Sequence, residues 1–234
     1  MDRTNANIRY EFLPHDSHRL YKKYAHLHGV QTSLPAEYNV DAWLDQNSPQ
    51  YKLELAQAIF HYRARKNASQ RFQICIQTDD MKKATWHYSH QQQLILDGTF
   101  GICDCRLLLF IALGIDEDRK GVPLAFFLFS APPDNLATQS GYDTRILTEL
   151  LREWVASMGK QDDKLFCPRV AITDTDVKER AALCAVWPGI WLLLCRFHLR
   201  QCWTNKWRTL LKAGKTYNFP REQIKRRLQA LEKE

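Results

Sequence analysis

The chain has 234 residues, of which 45% are hydrophobic and 25% are charged, the balance of an ordinary globular protein with one sizeable core. No apolar run approaches the roughly 18 residues that a membrane-spanning helix needs, and the N-terminus lacks an apolar signal-peptide stretch. Its seven cysteines are odd in number, and several lie in apolar runs, which favours reduced thiols over a disulfide framework. We therefore expect a soluble, intracellular protein.

Residues 1–71 are polar and predict an N-terminal, mainly helical region. The segment LYKKYAHLHG ends at a helix-stopping glycine, Gly29. The segment LELAQAIFHYRARK (53–66) has apolar residues at helical spacing. No function can be assigned to this region from its sequence.

Residues 72–200 contain distinct apolar runs, unlike the polar residues before them, and their pattern predicts one α/β domain. FQICIQ is a short strand candidate, and DDMKKATWHYS predicts a helix. Three apolar runs with short connections then predict a three-stranded antiparallel meander, in which Pro123 suits an edge strand because it has no N–H to donate. These runs cover residues 93–100, 106–116 and 122–131.

The second half of this domain alternates helices with strands. YDTRILTELLREWVASMG predicts an amphipathic helix that stops at Gly159. RVAITD (169–174) and IWLLLCRF (190–197) predict two buried strands, separated by the helix DVKERAALCAVW. The resulting order β-β-β-α-β-α-β-α predicts an α/β fold whose mixed sheet has three antiparallel and two parallel strands with flanking helices. It is the order of ribonuclease H-like cores, although other α/β folds share it.

Residues 201–234 predict a basic helical segment. From residue 195 to residue 234 there are eleven Lys/Arg and three Asp/Glu, whereas the rest of the chain has twenty-two basic and twenty-three acidic residues. The excess of basic over acidic residues that gives the formal net charge of +7 therefore lies entirely between residues 195 and 234. This segment could bind phosphate backbones, or it could simply be a solvated helical face. The candidate DNA contacts are Lys206, Arg208, Lys212, Lys225, Arg226 and Arg227.

Two aspartates are candidates for metal binding. Asp97 lies within an otherwise apolar strand, where a carboxylate needs a cation, hydrogen bonds or an open strand end. The alternative is a hairpin turn at Asp-Gly. Asp174 ends a strand and precedes a helix, so it could be an N-cap, but Asp176 and Glu179 have the spacing of a capping box. With Asp176 as the cap, Asp174 is left at the carboxyl end of a parallel strand, where α/β sheets place their ligands.

In the predicted topology the first and fourth strands are neighbours, so Asp97 and Asp174 would face one metal position. Carboxylate oxygens favour Mg²⁺ or Mn²⁺. Two such ions about 4 Å apart can activate the attacking water or 3′-hydroxyl and stabilise the leaving oxygen of a phosphodiester.

Cys195, His198 and Cys202 form the pattern C-x-x-H-x-x-x-C, which resembles part of a zinc site, with Cys184 as a fourth candidate ligand. The alternative, which we favour, is a buried thiol and a histidine that opens the following helix. Beside the two carboxylates, His198 would contact a scissile phosphate or orient an acidic side chain.

Five segments in order resemble the Mutator-like element (MULE) transposase domain, especially its fungal versions. They are LILDGTFGICD, GVPLAFFLFSAPPDN, YDTRILTELLREW, AITDTDVKERAAL and WPGIWLLLCRFHLRQCW. The resemblance runs from about residue 72 to residue 207 and implies Asp97 and Asp174 as the first two catalytic aspartates. It also implies that Cys195 and His198 form the family's C-x-x-H motif, with the histidine near the scissile DNA.

The resemblance implies a DNA transposase that cleaves and joins DNA with Mg²⁺ or Mn²⁺ in the nucleus, with transposon ends and target DNA as partners. The family's third catalytic acid is a glutamate beyond an inserted helical region. We therefore expect this chain to be a fragment that stops inside the insertion and is inactive alone, while the full-length protein could form a homo-oligomer. The alternative is a non-catalytic DNA-binding or regulatory protein derived from a transposase.

Overall fold

The computed structural model describes residues 14–34, 36–65, 67, 70–100, 107–131, 142–210, 223, 226, 227 and 230. In this part of the chain there are seven helices and nine strands. The helices are α1 (Pro14–Leu27), α2 (Ala36–Leu44), α3 (Leu53–Ala58), α4 (Asp79–Tyr88), α5 (Thr144–Met158), α6 (Val177–Val186) and α7 (Arg196–Leu210). The strands are β1 (Ile59–Arg63), β2 (Gln73–Ile76), β3 (Gln93–Phe100), β4 (Leu107–Ile115), β5 (Gly121–Ser130), β6 (Lys160–Gln161), β7 (Lys164–Leu165), β8 (Val170–Thr173) and β9 (Trp191–Leu194).

Seven of these strands form one mixed sheet in the order β1-β2-β5-β4-β3-β8-β9. The pairs β3–β8 and β8–β9 are parallel and the others are antiparallel. The predicted α/β class with a mixed sheet is therefore confirmed. The three meander strands lie beside one another, and the two strands reached through helices extend the sheet from β3.

The core lies between the sheet and helix α5. Asp143 caps this helix by accepting a hydrogen bond from the backbone N–H of Ile146 at 2.8 Å, and Gly159 ends it with a φ of 69° that suits glycine. Six apolar residues of the predicted amphipathic helix are buried, and Val155 is partly buried against the core. The six buried residues are Ile146, Leu147, Leu150, Leu151, Trp154 and Met158.

Trp154 is fully buried at the centre of an aromatic cluster. Its ring centroid lies 5.7 Å from that of Phe127, 5.0 Å from that of Phe166 and 6.4 Å from that of Trp187. These offset and edge-on arrangements are favourable for aromatic pairs. The cluster joins β5 and α5 to the segment before β8 and to the end of α6.

The structure corrects the prediction for residues 53–66. Only Leu53–Ala58 is helical, and Ile59–Arg63 forms β1, which pairs antiparallel with β2. The segment has apolar residues at helical spacing, but Ile, Phe and Tyr also favour strands, and pairing with β2 decides the outcome. The N-terminal region thus contributes a strand to the sheet.

Two further predictions are wrong. Pro123 does not lie on an edge strand, because β5 is between β2 and β4. It is tolerated there because β2 pairs only with Phe126–Phe129, and the register with β4 shifts next to Pro123. Strand β9 is not buried: Trp191 is 75% exposed and Leu193 is 49% exposed, since β9 is the last strand in the sheet order.

Among the described residues, no helix combines the length and the apolar character that crossing a membrane requires.

Candidate active site

Asp97 lies in the middle of strand β3, and the strand continues through Gly98 without a turn. Asp97 is paired with Ile111 and Gly98 with Phe110 of β4, so the hairpin alternative at Asp-Gly is wrong. Its neighbours Leu94 and Leu96 point into the core. Asp97 points to the other face of the sheet because side chains alternate along a strand, and its side chain is 42% exposed.

Asp174 directly follows β8 and is not the cap of the next helix. Asp176 is the N-cap of α6 and accepts a hydrogen bond from the backbone N–H of Lys178 at 2.8 Å. The Asp174 carboxylate is oriented by Thr175, whose backbone N–H and hydroxyl both donate to Oδ1. Neither of these two bonds engages Oδ2.

Strand register brings the two aspartates to the same level of the sheet. Strands β3 and β8 are parallel neighbours, and Ile95 is paired with Ile172. Asp97 and Asp174 each come two residues after this pair, and residues two apart point to the same face of a strand. The register therefore brings the positions of Asp97 and Asp174 to the same level of the sheet, at the carboxyl end of β8.

His198 approaches this position from helix α7. Its Nε2 lies 3.6 Å from Asp97 Oδ1, and its side chain is 22% exposed. Strand β9 and the start of α7 are anchored by the backbone N–H of Cys195, which donates to the Thr173 carbonyl at 2.8 Å. Among the described residues, His198 Nδ1 is buried without a hydrogen-bond partner.

Glu179 is a further acidic group near the two aspartates, and the sequence analysis did not identify it as part of the site. Its side chain is buried, with an exposed fraction of 2%, and it accepts a hydrogen bond from the Thr173 hydroxyl. Burial, and after it the nearby carboxylates of Asp174, Asp176 and Asp97, raise the pKa of Glu179 to about 8. At neutral pH this carboxyl group is therefore mostly protonated.

The sequence did contain a signal for Glu179. It lies three and four residues before Ala182 and Leu183, which are both fully buried. This spacing places Glu179 on the buried face of α6. Its spacing from Asp176 is also that of a capping box, but its carboxyl group lies against the end of β8.

The cysteines of the C-x-x-H-x-x-x-C pattern lie near this site. Cys195 is half-buried between β9 and α7, and Cys202 Sγ lies 3.7 Å from the Thr175 hydroxyl. Cys184 is exposed on α6. Within the described ranges, no group of three or more His, Cys, Asp or Glu side chains has a geometry that could hold a metal ion.

Three of the six candidate DNA contacts are described with their side chains, and all three are exposed. Lys206 lies on α7, and Arg226 and Arg227 have helical backbones. Arg208 lies in α7, but its side chain is outside the described set. Lys212 and Lys225 lie outside the described residues.

Residues 93–202 match the family model of the MULE transposase domain. The match covers a little under half of the chain and includes Asp97, Asp174 and His198. A comparison with curated proteins gives no match. The MULE transposase domain indicates a transposase-type function, DNA as the partner and, in general, a nuclease fold that depends on divalent cations.

Proposed function

We propose that this chain carries the catalytic core of a DNA transposase of the Mutator-like type, which cleaves DNA and transfers strands with the help of divalent cations. The strand order β5-β4-β3-β8-β9 supports a ribonuclease H-like core, because it combines three antiparallel strands with two parallel strands reached through helices. The match to the MULE transposase domain supports the chemistry. The segments that resemble fungal versions suggest that subtype.

The observation that carries this proposal is the register of β3 and β8. Two residues beyond the paired Ile95 and Ile172 come Asp97, within β3, and Asp174, directly after β8. A pair of carboxylates on one face repel each other, and a cation between them removes that repulsion. Folding alone does not explain an aspartate at this position, because the Asp97 side chain is partly exposed to solvent and is not part of the buried core.

The donor set fits a hard divalent cation. Asp97 and Asp174 offer carboxylate oxygens, which suit Mg²⁺ or Mn²⁺, ions that keep several waters and bind through one or two carboxylates and substrate phosphates. Asp174 Oδ1 is already engaged by Thr175, so Oδ2 would be the ligand atom. A bound cation would polarise the phosphoryl oxygen and lower the pKa of an attacking water.

In this proposal, the residues around the site have different roles. Asp97 and Asp174 hold the cation, and Thr175 keeps the Asp174 carboxylate in one orientation. His198, beside Asp97, would donate a hydrogen bond to a phosphate oxygen of the DNA strand. The exposed basic residues of α7 and beyond would bind the phosphate backbone away from the scissile bond.

Two carboxylates are too few for a complete two-metal site. We therefore expect a third acidic ligand from outside the residues that the structure describes, and little or no cleavage without it. Nuclear location is inferred from the DNA substrate. Self-association of the full-length protein would bring two transposon ends together.

The second candidate function is DNA binding without catalysis. It is favoured by the exposed positions of Lys206, Arg226 and Arg227, which can contact phosphates whether or not the aspartates hold a cation. Its salt dependence would come from these contacts alone.

Binding of duplex DNA at increasing KCl, with Ca²⁺ or with EDTA, separates the two candidates. Ca²⁺ occupies carboxylate sites but supports phosphoryl transfer poorly. For a transposase core we expect tighter binding in Ca²⁺, with this gain lost in Asp97→Asn and Asp174→Asn and kept in the control Asp118→Asn, which changes an exposed turn. Equal affinity in Ca²⁺ and EDTA would support the non-catalytic function and refute the proposed one.

A further inference from the structure

A buried acid lies directly behind the candidate cation site. Glu179 is on the first turn of α6 and its side chain is buried, whereas the Asp97 side chain is partly exposed. A buried carboxyl group is costly unless it is hydrogen-bonded. We therefore expect Glu179 to have a role beyond packing.

The hydrogen bonds of Glu179 join helix α6 to the end of β8. Its carboxyl group accepts a hydrogen bond from the hydroxyl of Thr173, which is also buried, and another from the backbone N–H of Asp174. Both donors belong to the two residues at which the chain leaves the sheet. The orientation of the peptide that precedes the Asp174 side chain is thus set by Glu179.

We propose that Glu179 is a positioning residue, which fixes the end of β8 so that the Asp174 carboxylate meets that of Asp97 around one divalent cation. This inference rests on the proposed function, because it assumes that the two aspartates bind the cation. Residues that hydrogen-bond to ligands commonly change metal affinity by about 10-fold to 100-fold when they are replaced.

Two observations distinguish this role from direct metal binding. Among the described residues, no three acidic, histidine or cysteine side chains are grouped as metal ligands, so Glu179 is not placed as a third ligand. Its carboxyl group is also occupied by donors from the strand end. A neutral amide, which can accept the same two hydrogen bonds, should therefore replace it.

The test measures the affinity of the purified chain for Mn²⁺ from the electron paramagnetic resonance signal of the free ion. The variants are Glu179→Gln, Glu179→Ala and Thr173→Val, the last of which keeps the side-chain shape and removes the hydroxyl donor. Circular dichroism melting establishes that each variant is folded. Asp174→Asn is measured first, because wild-type affinity in that variant would refute the proposed function itself.

With Mn²⁺ binding dependent on Asp174, we expect Glu179→Ala and Thr173→Val to raise the Kd for Mn²⁺ by about 10-fold or more. We expect Glu179→Gln to keep an affinity close to that of the wild type. Wild-type affinity in Glu179→Ala would overturn the inference, and if that variant does not fold, wild-type affinity in Thr173→Val would do so. Equal losses in Glu179→Gln and Glu179→Ala would also overturn it, because they would make the carboxylate a ligand.

Discussion

His198 Nε2 lies 3.6 Å from Asp97 Oδ1, which joins the start of helix α7 to the centre of strand β3. The two residues are about a hundred positions apart in the chain, and in the sheet order β8 lies between β3 and β9, the strand that α7 follows. The histidine therefore reaches over the end of β8 to the carboxylate on the next strand. This contact places a hydrogen-bond donor at the edge of the candidate cation site.

We predict that His198→Gln weakens DNA binding in Ca²⁺ and leaves Mn²⁺ affinity nearly unchanged. The physical reason is that His198 contacts one aspartate and lies outside the set of carboxylate ligands. Fluorescence anisotropy of labelled duplex DNA and Mn²⁺ titration measure the two effects on the same preparation. A loss of Mn²⁺ affinity as large as that in Asp97→Asn would show instead that the imidazole is a ligand.

Replacing Trp154 by alanine should lower the free energy of unfolding by about 3–5 kcal/mol, the usual cost of removing a large buried aromatic side chain. Trp154 is fully buried, whereas Trp191 is 75% exposed on β9. The matched control Trp191→Ala should change stability by no more than about 0.5 kcal/mol. Urea unfolding followed by circular dichroism tests both, and similar losses in the two variants would contradict the described core.

Removing the cap of α6 should separate stability from cation binding. Asp176→Ala is expected to cost about 0.5–2 kcal/mol of stability, because the hydrogen bond to the backbone N–H of Lys178 is lost. Mn²⁺ affinity should persist in this variant. Asp174→Asn should behave in the opposite way, losing the cation and keeping its stability. Thermal melts and Mn²⁺ titrations of both variants test this opposite behaviour. Loss of Mn²⁺ binding in Asp176→Ala would count against the prediction.

Stability without metal should fall as the pH rises, because of Glu179. Its pKa is raised from 4.5 to about 8 in the folded protein, so between these values the folded state binds more protons than the unfolded state. The protonation of Glu179 therefore contributes stability to the folded protein. This contribution is fully present below pH 4.5 and is lost as the pH rises through 8. The slope from one group is at most about 1.4 kcal/mol per pH unit.

The matched variant for this pH effect is Glu179→Gln, which cannot ionise. Urea unfolding in EDTA at pH 5.5 and at pH 8.5 gives the change in stability for each protein. We expect the wild type to lose more stability than Glu179→Gln over this interval. Parallel behaviour of the two proteins would mean that Glu179 ionises normally in the fold.

Much of the sheet could be predicted from the sequence because its strands are distinct apolar runs with short connections. The neighbouring positions of β3 and β8 are those expected for the ribonuclease H-like order of elements, and they bring the positions of Asp97 and Asp174 to the same level of the sheet. The continuous pairing of β3 with β4 across Gly98 could not be predicted, since Asp-Gly is also typical of a tight turn. Long-range pairing decided between these alternatives.

Other features depend on neighbours that a local pattern does not reveal. The run IWLLLCRF suggests burial, but its strand lies at the end of the sheet order, so Trp191 is largely exposed. The role of Glu179 depends on the end of β8, which α6 meets only in the folded chain. Its spacing from Asp176 matches a capping box, and this local explanation concealed its place on the buried face.

The most direct test of the central claim replaces Mg²⁺ by Fe²⁺ and lets ascorbate and hydrogen peroxide generate hydroxyl radicals at the bound ion. These radicals cut the polypeptide backbone close to the metal, and mass spectrometry locates the cuts. If one cation is shared, cuts should appear near both Asp97 and Asp174, should diminish in excess Mg²⁺ and should disappear together in Asp97→Asn or in Asp174→Asn. Cuts near one aspartate alone, or cuts that persist when either aspartate is replaced, would contradict a shared cation.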